Sequence, residues 1–173
     1  DENPWEAGEH DKKNNDHNES KPDGNDWWAE AIGAFSAWDY VDSHEQDLAN
    51  VAVGIMDDGV DAEHEEFQKN GESKIHWLED YKENLAFDHG THVTGLIGAE
   101  NNQAGIRGVA DRTDLYFVSW WKEDLFSTGE YVNVTKQMIE TMLSEHTACV
   151  VNNSWATVIQ SREQYLKDTL IGE

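Results

Sequence analysis

The sequence predicts an α/β domain built around a parallel sheet, and two observations predict it. From residue 51 onward, short β-branched apolar runs alternate with longer segments of helical periodicity. The runs are apolar along their whole length instead of at every second residue, which is the pattern of strands covered on both faces.

The elements follow in chain order. Residues 1–26 are rich in Asp, Glu, Asn and Lys and nearly empty of apolar side chains. They cannot bury enough surface to offset the entropy of ordering, so they read as a disordered acidic lead-in. The domain is expected over residues 27–173. Residues 27–41 (WWAEAIGAFSAWDYV) place Trp28, Ile32, Phe35 and Trp38 near helical spacing, and Gly33 divides them into two short helices. Residues 50–56 (NVAVGIM) read as a buried strand and 74–79 (KIHWLE) as a shorter one. Residues 89–99 have helical spacing at Val93, Leu96 and Ile97, and 114–120 (DLYFVSW) return to a strand. The clearest helix is 128–145, with Tyr131, Val134, Met138, Met142 and Leu143 to one side. Residues 147–152 (TACVVN) predict a further buried strand, with Cys149 as a small buried hydrophobe. Residues 163–171 predict a last helix.

Bulk properties narrow the function. The 173 residues suit one domain. With 36 acidic and 12 basic residues the net charge is −24, so nucleic acid and anionic membrane surfaces are excluded as partners. Such acidity favours solubility or cation binding. No apolar run is long enough for a membrane span, and no signal peptide opens the chain. A single cysteine rules out an intrachain disulfide and a cysteine-based zinc site.

Open parallel sheets gather their reactive groups at the carboxyl ends of the strands. Asp57 follows the 50–56 strand, and Gly59 lets the chain turn away. An aspartate there is expected to be partly buried and to need a partner for its charge. Residues 87–95 (FDHGTHVTG) put His89 at a helix start, with Gly90 and Gly95 allowing close backbone approach. His92 falls one turn later, on the same face. Two histidines and a carboxylate could serve a metal-dependent hydrolase, although the H-E-x-x-H pattern is absent. Residues 152–156 offer a second set of groups at the same end of the sheet. His64, His76 and His146 fall in no partner pattern, and Trp77, Trp120 and Trp121 read first as core.

The strand-final Asp-x-Gly followed by His-Gly-Thr-His-x-x-Gly resembles the subtilisin-like serine proteases, the subtilases. VAVGIMDDGVDAEHEEF is similar to the family's aspartate segment, HGTHVTGLIGAENNQAGIRGVA to its histidine segment, and VVNNSWA to the strand that lines its substrate groove. The resemblance covers roughly residues 27–156. It implies a doubly wound, mostly parallel subtilisin-like sheet, incomplete here at the C-terminus. It implies a serine-type endopeptidase that hydrolyses polypeptides through an acyl-enzyme, outside the cell or at its surface. In that scheme Asp57 orients His89, and His89 is the general base and then the general acid. Asn152, Asn153, Ser154, Trp155 and Ala156 line the peptide groove.

The same resemblance implies a calcium site made by Glu66, the Asn102 Oδ1 atom and the carbonyls of Glu100, Ala104 and Ile106; the chemistry itself needs no cofactor. The family's Gly-Thr-Ser nucleophile and oxyanion-hole asparagine fall beyond residue 173. A complementing C-terminal segment is therefore an implied partner, and the 147–152 strand is expected to present an open edge. Ser154 lacks the Gly-Thr-Ser context and lies where substrate backbone should run, so it is not expected to be the nucleophile. Asp58 stands where Ser or Thr is commoner and is expected to raise the pKa of Asp57. Trp155-Ala156 replaces a small, glycine-rich stretch. The alternative function is a peptide-binding module of the same fold without turnover.

Overall fold

The computed structural model describes residues 27–44, 50–78, 81–82, 88–102, 105–120 and 129–155. The expected lead-in over 1–26, the expected helix over 163–171, and residues Ala104, Trp121 and Ala156 lie outside them. In chain order the elements are α1 (Trp27–Ala31), α2 (Ala34–Ser43), β1 (Val51–Asp57), a small antiparallel hairpin of β2 (Gln68–Lys69) and β3 (Glu72–Ser73), β4 (Ile75–Trp77), α3 (Asp88–Gly98), β5 (Asp114–Ser119), α4 (Tyr131–Glu145) and β6 (Ala148–Asn152). The main sheet runs β4-β5-β1-β6 and every pairing in it is parallel.

Strand alternation sorts the core into two layers. Ala52 and Met56 of β1, with Tyr116 and Val118 of β5, face Val134, Met138 and Met142 of α4. Val53 and Ile55, with Leu115 and Phe117, face the opposite way, against Val60, Phe67 and Ile75, with Ile97 of α3 packed on them. Helices therefore cover both faces, as a doubly wound sheet requires. Ala52 and Gly54 are small because α4 lies close: a Cβ on Gly54 would sit 2.3 Å from the Met138 sulfur.

Several expectations change in the detail. α3 buries Gly90, Thr94, Gly95 and Gly98, whereas Val93, Leu96 and Ile97 are only half-buried. Close approach decides that face, since a Cβ on Gly98 would lie 2.8 Å from the Leu115 side chain. In α4, Tyr131 and Leu143 are exposed and the buried stripe is Val134, Met138 and Met142. β6 is not a buried strand: Val150 is 59% exposed and Cys149 only half-buried, because β6 is the edge of the described sheet.

The N-terminal helices form as two pieces about Gly33, whose φ of 74° is the left-handed conformation glycine tolerates. Ile32 sits in that turn, exposed, and Ala29, Ala34 and Trp38 carry the burial instead. Trp38 fastens the pair to the body: its Nε1 donates to the Val109 carbonyl at 3.1 Å, and the Arg107 guanidinium lies 4.7 Å from its ring centroid. Among the described residues no helix is long and apolar enough to cross a membrane.

Candidate active site

The register of the sheet places Asp57 beside Ser119 at the carboxyl ends of β1 and β5. The Trp120 amide donates to the Asp57 carbonyl at 3.0 Å, and the Ser119 hydroxyl donates to the Asp58 carbonyl at 2.5 Å. The backbone that carries Asp57 is thus held on both sides before the chain turns at Gly59. α3 begins at Asp88, so His89 lies in its first turn and projects at the same end of the sheet.

Asp57 and His89 meet. The His89 Nδ1 atom is 2.7 Å from Asp57 Oδ1, which also accepts the Asp58 amide at 2.8 Å. Asp57 is fully buried, more than a strand-end aspartate was expected to be, while the His89 side chain is 53% exposed. Asp57 Oδ2 is buried with no hydrogen-bond partner among the described residues. Burial pushes the Asp57 carboxyl above its ordinary range, and hydrogen bonds from His89 and the Asp58 amide pull it part of the way back. The Asp58 side chain adds only a minor upward push, so burial rather than the neighbouring carboxylate is the main cause of the expected rise. His89 is raised above the usual histidine value by its hydrogen bond to Asp57 and by that group's charge, with a smaller contribution from Asp58.

Gly90 has the close approach that its position predicted. A Cβ there would lie 2.1 Å from the Gly59 carbonyl oxygen and 2.8 Å from Asp58 Oδ1. Two groups around the pair, Thr91 and Ser119, were not singled out from the sequence, and Asp58 was expected only to raise the Asp57 pKa. Asp58 Oδ1 accepts the amides of Gly59 and Gly90, each at 2.8 Å. Thr91 Oγ1 accepts the Asp61 amide at 3.0 Å. Ser119 ties the neighbouring strand to the turn. The available signals were Thr91 inside the His-Gly-Thr-His block and a polar residue ending the apolar β5 run.

The described groove residues, Asn152 to Trp155, lie at the same end of the sheet. Asn152 pairs with Ile55 in the parallel ladder, and its Nδ2 donates to the Ser154 hydroxyl at 2.9 Å. Asn153 is exposed. Trp155 stands edge-on to Trp120 and to Tyr131, with ring centroids 6.1 Å apart in each case.

Of the expected calcium residues, the described ones, Glu66, Glu100, Asn102 and Ile106, lie near one another. Glu66 is buried; its Oε1 accepts the Ile106 amide at 3.1 Å and its carbonyl accepts the Glu100 amide at 2.8 Å. Gly105 has a φ of 56°, and a Cβ there would overlap Glu66 Oε1. Asn102 Nδ2 donates to the Glu65 carbonyl at 3.4 Å. The Glu100 side chain is held by Lys74 at 3.0 Å, so its backbone carbonyl is the group it can offer. The loop groups that reach Glu66 are the amides of Glu100 and Ile106; carboxylate and carbonyl oxygens are the hard donors that Ca²⁺ takes. A different histidine–acid grouping, Asp57, Asp58 and His89, brings its ligand atoms within 4.8 Å of one another. His92, one turn along the same helix, is exposed and is not among these three.

The subtilase family pattern matches residues 49–171, more than half of the chain. Subtilisin E of Bacillus subtilis (strain 168) is 37% identical over 83 residues, which is 48% of this chain and 21% of that protein. Subtilisin of Bacillus pumilus is 37% identical over 83 residues, 48% of this chain and 30% of that protein. An extracellular serine protease of Serratia marcescens is 29% identical over 136 residues, 75% of this chain and 11% of that protein. The chain thus spans less than a third of the length of these relatives. No solved structure matches it significantly.

Proposed function

The chain belongs to the subtilase family, and from that premise we propose that Asp57 and His89 are the aspartate and histidine of a serine-type endopeptidase centre. The observation that carries the reading is the 2.7 Å bond between a fully buried carboxylate and a half-exposed imidazole. Asp57 fixes the proton on Nδ1, which leaves Nε2 as the basic nitrogen. His89 then takes the proton of a serine hydroxyl as that oxygen attacks the peptide carbonyl, and returns it to the leaving amine. Asp57 stabilises the imidazolium between the two steps, and its burial keeps that interaction out of bulk water.

The serine and the oxyanion donor are assigned to a complementing segment C-terminal to residue 173. The relatives extend well beyond the matched stretch, and this supports the assignment. The substrate is an extended polypeptide. Asn152, Asn153, Ser154, Trp155 and Ala156 would receive it along the continuation of β6, the edge of the described sheet, by adding it as a strand. Secretion is supported by the relative from Serratia marcescens, which is extracellular by name.

Glu66, Asn102 and the carbonyls of Glu100, Ala104 and Ile106 are proposed to hold a calcium ion. The ion would cross-link the loop after α3 to the turn that follows β1, and take no part in bond cleavage. At a hundredfold excess over its Kd, an ion bound only by the folded state adds about 2.7 kcal/mol of stability. Calorimetric titration with CaCl2 should show binding that Glu66→Gln abolishes.

The enzymatic reading is tested by expressing the chain with the reading frame continued past residue 173, then measuring fluorophosphonate labelling and peptide hydrolysis. Both are expected in the wild type and absent in His89→Ala. A folded, extended protein that binds peptides but neither labels nor hydrolyses them contradicts the reading and favours a binding module.

A further inference from the structure

We propose that Asp58 is a positioning residue, a carboxylate latch that holds the start of α3 against the end of β1 and so keeps the His89 ring in register with Asp57. This rests on the reading of Asp57 and His89 as the working pair. Asp58 is the residue after Asp57, and Gly90 is the residue after His89. One oxygen, Asp58 Oδ1, accepts the Gly59 amide and the Gly90 amide, both at 2.8 Å. A single carboxylate therefore joins the two catalytic segments one residue beyond each catalytic side chain.

The bond is well suited to that task. Gly90 lies in the first turn of α3, where backbone N–H groups lack partners within the helix and anions are favoured. Hydrogen bonds to a charged acceptor are roughly twice as strong as neutral ones. Asp58 is half-buried, so water screens its charge incompletely. The segments already touch, since a Cβ on Gly90 would overlap the Gly59 carbonyl oxygen. Any loosening of the latch would turn the first helical turn and carry His89 with it. Around the imidazole, the charged groups that support its protonated form are Asp57 on β1 and Asp58 on the turn. A serine at position 58 could accept a hydrogen bond but would bring no charge to either.

The test is NMR on the full chain with Asp58→Ala and Asp58→Asn. Amide exchange reports the latch, and the His89 ring titration and its Nδ1 proton report positioning. Asp58→Ala should speed exchange at Gly90 at least about tenfold, lower the His89 pKa, and broaden or remove the Nδ1 proton signal. Asp58→Asn keeps an acceptor but not the charge; exchange should stay within about threefold of wild type while the His89 pKa falls. An unchanged His89 titration and Nδ1 signal in both variants overturns the proposal, even if Gly90 exchange quickens. Should Asp58→Ala not fold, Asp58→Gly, which likewise removes the acceptor, takes its place, and an unchanged Nδ1 signal there overturns the proposal in the same way. None of these readouts requires turnover, so an extended protein without protease activity would sink the enzymatic reading and leave the latch to be judged by its own data.

Discussion

Two histidines in this molecule make nearly the same first contact and have opposite surroundings. His89 at the carboxyl end of the sheet and His146 at the amino end each place Nδ1 2.7 Å from a side-chain oxygen. For His89 the oxygen is the Asp57 carboxylate, and half of the ring is open to solvent. For His146 it is the neutral amide of Asn50, the side chain is only 4% exposed, and Nε2 is met by the Tyr116 hydroxyl at 3.3 Å with the Asp114 carboxylate 3.6 Å away. Tyr116 in turn donates to Glu145 at 3.1 Å, and burial with that carboxylate pushes its hydroxyl up to about 12. Asn50 also accepts the Thr147 amide through its carbonyl, so the cluster ties together the amino ends of β1, β5 and β6. A histidine with both nitrogens occupied inside the fold is a fastener. One with a single nitrogen bonded to a buried carboxylate, and the remainder accessible, is prepared to move a proton.

The largest effect that could break this contrast is on catalysis. In the extended enzyme, His89→Ala or Asp57→Asn should lower kcat by on the order of 10⁴-fold, whereas His146→Asn should leave kcat per folded molecule within about twofold. Comparable losses at both histidines would show that the two ends do not differ in kind. Next in size is Gly90→Ala, expected to cost about 3 kcal/mol in chemical denaturation because its Cβ would collide with backbone rather than with a flexible side chain. The smaller effect sharpens the other half of the comparison. His146→Ala should destabilise the fold by about 2 kcal/mol, since it empties a buried site and leaves the Asn50 amide oxygen without its 2.7 Å partner. The exposed edge residue Val150, changed to Thr, should move the unfolding midpoint scarcely at all.

How much of this was legible in the sequence depended on which physics each residue answers to. β1 could be read directly, because an apolar run ending in Asp57 has one economical explanation. So could the α4 stripe of Val134, Met138 and Met142. The buried face of α3 could be read only in part: close approach was expected at Gly90 and Gly95, but glycine carries no hydrophobic signal, and the burial of Gly98 is set by how near Leu115 comes. β6 has the composition of a central strand, and only its place at the sheet edge exposes Val150. Asp58 could be read as a second carboxylate beside Asp57 but not as a partner of Gly90, 32 residues away, a pairing that only the folded chain brings about. The full burial of Asp57 was likewise a consequence of its neighbours, not of its own segment.

The pH behaviour follows from the sign of the His89 shift. A histidine raised by a carboxylate partner contributes stability that is complete below the unfolded value near 6.5 and fades as pH climbs through the higher folded value. Proton abstraction needs the neutral ring, so activity should rise across that same folded value. The most direct measurement is the ring titration of His89 by NMR in the wild type and in Asp57→Asn, with His146 followed in the same spectra. A His89 midpoint above about 6.5 is expected, falling on Asp57→Asn while the His146 signals stay in place. A His89 midpoint at the ordinary value, indifferent to Asp57→Asn, would contradict the reading of Asp57 and His89 as the working pair.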